Sequence, residues 1–557
     1  MDEIKNSKQQ SFLKGAAILA AASLFAKTVS AVYKIPLFNI LDDVGTGFFQ
    51  ATYSVYALVL TVATFGVPLA LSRLISSAYA KGQTNLVKRY FSVSLPGFAL
   101  IGIVAMLIMF FFADAIAAFI QNTAVAHGIR VLSPAVFFVC VIAVFRGYTQ
   151  GFQDMIPTAM TQTIEVICKA VFGIAVAFWL TRLNYELSIV SAGALTGVTI
   201  GLGLCIPLLI WYKKRFDKKL PRMNDNSELP RRTRVFADVM KVSIPITIGA
   251  SFMSIMAFFD TLIVMRRLQN ALGYTELEAS AQFGIFAKGL TIYNLPSALI
   301  VPIAVSVMPA IATAIAKKRG EDASQIMHSA IKLVSLIALP TAAGIMVLAN
   351  PIMTSLYQDP RAVTATILII LGAAAFFVCL QLITTAILQA NGHERIAMMT
   401  LPVGAAVKIV LTFILVGNPN FGIVGSAIGT LACFIVISCL NLTFILIKVK
   451  NRPKLSGVFF KPVLCTTIMA TCAFFSYRLF IMLDYVVFSR EYMIISELVA
   501  GAIPSGTRMA VTAYMVLAII LSIIVYGISI IITGAVSRDD MKLVPKGDKL
   551  SKILRIK

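Results

Sequence analysis

Apolar runs of about 17 to 27 residues, the length a helix needs to cross a roughly 30 Å hydrocarbon layer, recur fourteen times along the chain, with short polar loops between them. They fall near 11–37, 48–72, 90–113, 130–150, 156–181, 187–212, 238–265, 283–310, 327–349, 364–390, 396–416, 422–447, 461–483 and 508–534. The pattern predicts an all-α polytopic membrane protein of fourteen transmembrane helices. Composition agrees: of 557 residues 59% are hydrophobic and only 13% charged, and mean hydropathy is +0.88, an excess no soluble core requires.

Charge orients the spans, because the cytoplasmic loops of multispanning proteins are rich in Lys and Arg. With both termini cytoplasmic, 35 of the 48 basic residues lie inside, 9 outside and 4 within spans. A missing or surplus span would have blurred that bias. The expected location is a bacterial plasma membrane. The net charge of +23 is spread over short loops such as Lys213-Lys214-Arg215 and Lys317-Lys318-Arg319, which argues against nucleic acid as a partner. Lys5, Lys8 and Lys14 precede the first apolar run as in a secretory signal, but that run is long and shows no cleavage site, so it reads as a span. The eight cysteines sit in apolar segments without metal-type spacing, and His127, His328 and His393 are scattered, so neither a disulfide framework nor a metal site is expected. Trp179 and Trp211, near span ends, read as interface anchors.

Spans one to six and seven to twelve repeat each other. Val67–Ser72 (VPLALS) matches Val301–Ser306 (VPIAVS), each followed by a small-residue turn, and Gln150 with Gln389 and Lys169 with Lys408 keep nearly the same offset. Six spans per copy preserve orientation, so the repeat is parallel, which predicts two six-helix bundles about an axis along the membrane normal. The expected division is an N-terminal lobe over 1–212, a basic cytoplasmic linker over 213–237, a C-terminal lobe over 238–447, accessory helices thirteen and fourteen over 448–534, and a basic tail over 535–557. Gly66, Pro68, Pro245, Pro296 and Pro302 soften spans two, seven and eight.

Four lysines, Lys27, Lys169, Lys288 and Lys408, lie inside spans against two carboxylates, Glu165 and Asp260. A charge at membrane depth costs about 3 kcal/mol on insertion scales, so such residues face a wet cavity or a partner, and this positive excess points to an anionic cargo. Glu165, four residues before Lys169 on one helix, offers it a structural ion pair. Lys408 has no local acid and stays open between a cavity role and pairing with Glu165 or Asp260. Asp260 could bind a coupling cation or neutralise Lys27 or Lys288 in the empty protein. Lys27 and Lys288 are favoured as cavity residues.

The run Arg146–Glu165, RGYTQGFQDMIPTAMTQTIE, is similar to the fourth-to-fifth span signature of bacterial lipid flippases in the multidrug/oligosaccharidyl-lipid/polysaccharide (MOP) superfamily, especially MurJ-type and stage V sporulation B-type proteins of Gram-positive bacteria. Lys27 with Tyr33, and Phe259-Asp260-Thr261, resemble further family positions. The resemblance implies a MATE-like fold and a non-enzymatic flippase for lipid II, an undecaprenyl-diphosphate-linked peptidoglycan precursor. Lys27, Lys288, Lys408 and Tyr33 would bind its diphosphate, Asp260, Glu165 and Lys169 would couple or balance charge, and Arg146, Gly147, Gln150, Gly151 and Pro157 would form the structural motif. It also implies a lateral groove at spans thirteen and fourteen for the lipid tail, and cell-wall synthesis machinery as a partner. The sequence departs from the family where Lys27 replaces an arginine, where span two lacks a basic residue, and where Lys288 is shifted by about one turn. No nucleotide-binding GxxxxGK[ST] is present and no cofactor is expected, though a coupling monovalent cation fits the scheme. Competing readings are a flippase for a teichuronic, capsular or spore-cortex precursor, a cation-coupled drug exporter on the same fold, and a membrane glycosyltransferase, for which no catalytic constellation is found.

Overall fold

The computed structural model describes residues 18–19, 21–64, 66–218, 229–453, 457–488 and 508–536. The first turns of span one, part of the linker and nearly all of the tail lie outside the described residues. Twelve segments and one bent pair are long and apolar enough to cross a bilayer, and the longest, Ala21–Ala80, has 60 residues. At 1.5 Å per residue a straight helix of that length would measure about 90 Å, three times the hydrocarbon thickness. It is not straight. Helix α1 (21–32) leads through a turn at Tyr33 into α2 (Lys34–Thr64), whose Asp42 has φ 55° and ψ −170°. Rings of Phe38 and Phe49 meet at 5.8 Å, and the Lys34 ammonium lies 5.9 Å from the Tyr53 ring centroid. Both pairs are symmetric about positions 43–44, as a helical hairpin requires. The segment therefore crosses twice, which brings the count among the described residues to fourteen. The first crossing runs on to Leu41, beyond the expected end at 37, and the second begins at Asp43, because the adjacent acids Asp42 and Asp43 mark the reversal.

Past residue 65, which lies outside the described residues, the second crossing continues as α3 (Gly66–Ala80). The Gly66 N–H donates to Thr247 Oγ1 at 3.1 Å. Helices α4 (Thr84–Phe111), α5 (Ala113–Ile120), α6 (Val125–Gly151), α7 (Ile156–Arg182) and α8 (Leu187–Asp217) follow. In this unit α6 is central, packed against α2, α3, α4 and α8, while α7 lies along α8. Helix α9 (Arg232–Leu272) packs on α2 and α3 and bends by 48° between its segments 232–249 and 251–272. The bend falls at Gly249 and Ser251 rather than at Pro245, as a Gly/Ser pair allows.

The chain divides by contact into units 1–284 and 285–557, with the boundary inside α10 (Glu276–Ala316). Span seven and the first turns of span eight thus pack with the first unit, whereas the repeat had assigned both to the C-terminal lobe. Repetition records ancestry, while packing follows complementary surfaces such as Phe98 against Phe236, with ring centroids at 5.7 Å.

In the second unit α11 (Gly320–Val347), α12 (Ala349–Tyr357), α13 (Ala362–Ala390), α14 (Glu394–Val416) and α15 (Val424–Lys448) reproduce the pairings of α4 to α8: α13 packs on α11 and α15, and α14 lies along α15. The short helices α5 and α12, not anticipated from the sequence, supply a further repeat signal. They end in left-handed glutamines, Gln121 (φ 59°) and Gln358 (φ 55°), 237 positions apart. The accessory helices α16 (Phe460–Phe488) and α17 (Arg508–Thr533) pair with each other, Tyr514 donating to Asp484 Oδ1 at 2.6 Å, and Tyr526 ties α17 to the Leu336 carbonyl at 2.6 Å.

The turn into α13 is held by Asp359, which accepts from Arg361 Nε at 2.7 Å and Nη2 at 2.6 Å and from Thr364 Oγ1 at 2.9 Å. Burial works to raise this carboxyl, but the guanidinium and the Thr364 hydroxyl hold it below the usual carboxylate range. Its contribution is complete above the unfolded value of about 3.9 and is lost as pH falls through the lower folded value. Asp359→Asn should lower stability by about 1 kcal/mol at neutral pH, a modest cost because Arg361 is half exposed. Melting curves in detergent should show the gap to wild type closing below about pH 4. A gap independent of pH would exclude this origin.

Candidate site: intramembrane lysines and a tyrosine cage

Lys169 of α7 is 7% exposed. Its ammonium donates to Tyr53 Oη at 3.3 Å and stands 4.4 Å from the Tyr53 ring centroid and 5.4 Å from that of Tyr33. Lys34 approaches the same Tyr53 ring at 5.9 Å and Phe38 at 5.8 Å. Tyr53 is stacked on Phe49 with ring planes 3° apart, so the ring both ammoniums share is itself packed in place. The hairpin at Asp42 makes this cage, because it carries Tyr33 and Lys34 back alongside Tyr53. The two ammoniums lie no more than about 10 Å apart, since they are 5.9 Å and 4.4 Å from one centroid. Even at that limit two positive charges repel by about 1.7 kcal/mol at an effective dielectric of 20. Aromatic faces offset part of this, but a ring carries no net charge.

Glu165 acts electrostatically on Lys169, but no Glu165–Lys169 ion pair within 4 Å is found among the described residues. Glu165 lies 3.7 Å from Arg146 Nη2, and Arg146 Nε donates to Thr161 Oγ1 at 2.9 Å. Helix spacing pointed to Lys169 and was silent on Arg146 of the neighbouring α6, while the Lys169 ammonium reaches Tyr53 of α2. Around this ion pair the 146–165 motif locks helices together. A Cβ on Gly147 would stand 2.8 Å from Leu71 Cβ, and one on Gly151 would stand 2.6 Å from Ile75 Cγ2, so both glycines admit α3 against α6. Gln150 Nε2 donates to Thr158 Oγ1 at 3.0 Å, and Pro157 occupies the first turn of α7, where no N–H is missed.

The remaining sequence-predicted residues are spread over both units. Lys27 on α1 is exposed, with no hydrogen-bond or ion-pair partner among the described residues. Asp260 on α9 is buried, and its neighbour Thr261 donates to Ser54 Oγ at 3.0 Å. In the second unit Lys288 on α10 is 4% exposed and lies 5.7 Å from the Tyr357 ring centroid, while Lys408 on α14 is 6% exposed. The repeat partners Lys169 and Lys408 are thus equally buried. Lys34 was missed because span one was expected to end at 37, which put this lysine at the outer interface. The Tyr33-Lys34 pair shortly before the acids of the reversal was the available signal.

The family model described as polysaccharide biosynthesis protein matches residues 12–315, more than half of the chain. The chain belongs to the polysaccharide biosynthesis protein family. A second model, MatE, matches residues 245–414 of this family member. The uncharacterized membrane protein YabM of Bacillus subtilis is 27% identical over 100% of the chain and 99% of its own length. Stage V sporulation protein B of the same organism is 25% identical over 78% of the chain and 83% of its own length. The lipid II flippase MurJ of B. subtilis is 23% identical over 75% of the chain and 80% of its own length. Among solved structures, a lipid II flippase MurJ in an inward closed conformation matches with TM-score 0.64 at 17% identity, covering 94% of this chain and 98% of that one. An inward-facing multidrug resistance MATE family transporter of the MOP superfamily matches with TM-score 0.59 at 16% identity, covering 75% and 97%. The polysaccharide biosynthesis family member is therefore a multi-pass membrane transporter of the MOP superfamily, of the MurJ and stage V sporulation B type.

Proposed function

We propose that this transporter moves a polyprenyl-diphosphate-linked saccharide, with lipid II as the first cargo to test, from the inner to the outer leaflet of a bacterial plasma membrane by alternating access. The observation that carries the reading is the excess of positive charge at membrane depth: Lys34 and Lys169 approach one tyrosine ring, and the nearby carboxylate, Glu165, is shared between Arg146, at 3.7 Å, and the field at Lys169. A desolvated site of that sign favours a diphosphate over the cationic drugs an exporter would carry. Moving one charge through 100 mV is worth about 2.3 kcal/mol, so membrane potential favours both outward passage of an anionic headgroup and inward return of an empty cationic site. A relative named as a lipid II flippase supports testing that cargo first.

Cells depleted of their lipid II flippase, carrying this chain and assayed for lipid II accessible at the outer surface, test the cargo. Rescue with surface-accessible lipid II is expected. A well-expressed chain that fails to rescue would exclude lipid II and direct the same assay to teichuronic, capsular or spore-cortex precursors.

A further inference from the structure

Within the first unit, α5 and α6 meet at a turn, 121–124, on the side that loop charge assigns to the cell exterior. A helix leaves its last carbonyls and its first N–H groups without partners of its own. Here both sets are satisfied from α9 and α10. Arg266 of α9 donates to the Phe119 carbonyl through Nη2 at 2.7 Å and Nε at 3.2 Å, and its guanidinium lies 4.6 Å from the Phe119 ring centroid. Gln269 Nε2 donates to the Gln121 carbonyl at 2.6 Å. Glu276 of α10 accepts from the Ala124 N–H at 3.1 Å and from Thr123 Oγ1 at 2.9 Å, where a carboxylate also suits the positive end of the α6 dipole. Gln121 Nε2 reaches Asn270 Oδ1 at 3.3 Å, and Asn122 Nδ2 reaches Ser280 Oγ at 2.9 Å.

The repeat copy of this turn is held differently. Asp359 lies 237 positions after Asn122, the offset that relates Gln358 to Gln121, and it caps α13 from within its own turn, the Arg361 N–H donating to its Oδ1 at 3.2 Å. Such a turn can therefore close on its own residues. In the first unit the position of that acid is an asparagine, and the carboxylate comes instead from α10, on spans that the repeat assigns to the C-terminal half. The contacts are also suited to breaking. Those of Arg266, Thr123 and Asn270 are exposed, so water replaces each lost partner at small net cost.

We propose that the 121–124 turn and the side chains of Arg266, Gln269 and Glu276 form a reversible latch on the exterior side, released when the transporter opens outward and remade when it opens inward. The latch rests on the alternating-access reading and is independent of what the cargo is. Its strength sets the balance between the two states.

The test uses the full chain in nanodiscs, with the exposed Cys439 and half-buried Cys472 replaced by Ser, and reads distances between paired spin labels by pulsed electron spin resonance. One pair, Ala118→Cys with Ala271→Cys, reports on the latch from exposed side chains outside its contacts. The other, Lys81→Cys with Lys317→Cys, reports on the opposite side from exposed loops at equivalent repeat positions. Arg266→Gln, Gln269→Ala and Glu276→Gln together should raise the longer latch distance over the shorter at least about tenfold, since each lost contact is worth about threefold. The opposite pair should shorten in the same fraction of molecules. Glu276→Gln alone, which keeps the shape of the acid, should give about a threefold shift. Asp359→Asn, in the self-held turn, should move neither pair. A longer latch distance with the opposite pair unchanged would mean local fraying and overturn the latch, as would a wild-type distribution in the triple variant. Two distances for the opposite pair, in equal ratio in wild type and triple variant, would sink the latch and leave alternating access standing. A single distance for that pair in both chains would overturn both.

Discussion

Cells that depend on this chain for translocation should lose at least about 90% of transport when Lys288 is replaced by Ala, with the protein still present in the membrane. A charge-assisted contact to a diphosphate is worth about 1.5–3 kcal/mol, and each 1.4 kcal/mol is tenfold, so the expected loss is about 10- to 100-fold. Lys27→Ala should fall in the same range, since Lys27 is exposed on α1 with no partner among the described residues and is free to meet cargo. Lys288 is 4% exposed and set over Tyr357, so its removal also empties a packed position. Lys288→Met, which keeps the length and loses the charge, separates the two effects. Transport by Lys288→Met at the wild-type rate, at equal surface abundance, would refute the role of Lys288 in binding an anionic cargo. The Ala variant alone could fail through packing.

The largest structural effect should come from Gly284→Ala. A Cβ there would lie 1.9 Å from the Asp43 carbonyl oxygen, and one on Gly47 would lie 2.0 Å from the Ser280 carbonyl oxygen, so α2 and α10 cross with their backbones in contact. Small residues are what permit such crossings in membranes, where packing rather than hydrophobicity holds helices together. Overpacking usually costs about 1–3 kcal/mol, and here the obstacle is main chain that cannot rotate away, so the upper end applies. Gly284→Ala and Gly47→Ala should shift much of the protein from a monodisperse to an aggregated peak in detergent chromatography and lower the melting temperature of what remains. Gly344→Ala is the control, because nothing lies within 4 Å of its added Cβ, and alanine is the better helix former. Equal behaviour of Gly284→Ala and Gly344→Ala would show that the α2–α10 approach is looser than described.

Much of the architecture is written in one-dimensional quantities. Span length is set by bilayer thickness and orientation by loop charge, so fourteen crossings could be counted without coordinates. The duplication was legible because its copies keep residues such as Lys169 and Lys408 at nearly constant offset, and both prove to be buried to the same degree. The charged site was only half legible. Lys169 could be recognised as a cation in a span, but its neighbours could not, because helix spacing places only Glu165 near it and says nothing of Arg146 on α6 or Tyr53 on α2.

The sequence by itself determined that this is a polytopic all-α membrane protein, built as a parallel repeat with two added helices and an excess of cations at membrane depth. Tertiary structure alone decided that the chain reverses at Asp42, that span seven packs with the first unit, that Arg146 comes within 3.7 Å of Glu165, and that Lys34 and Lys169 share the Tyr53 ring. The physical reason is one of range. Hydrophobicity and loop charge act residue by residue and survive as pattern, whereas a partner for a buried charge is chosen by a contact of a few ångströms between different helices.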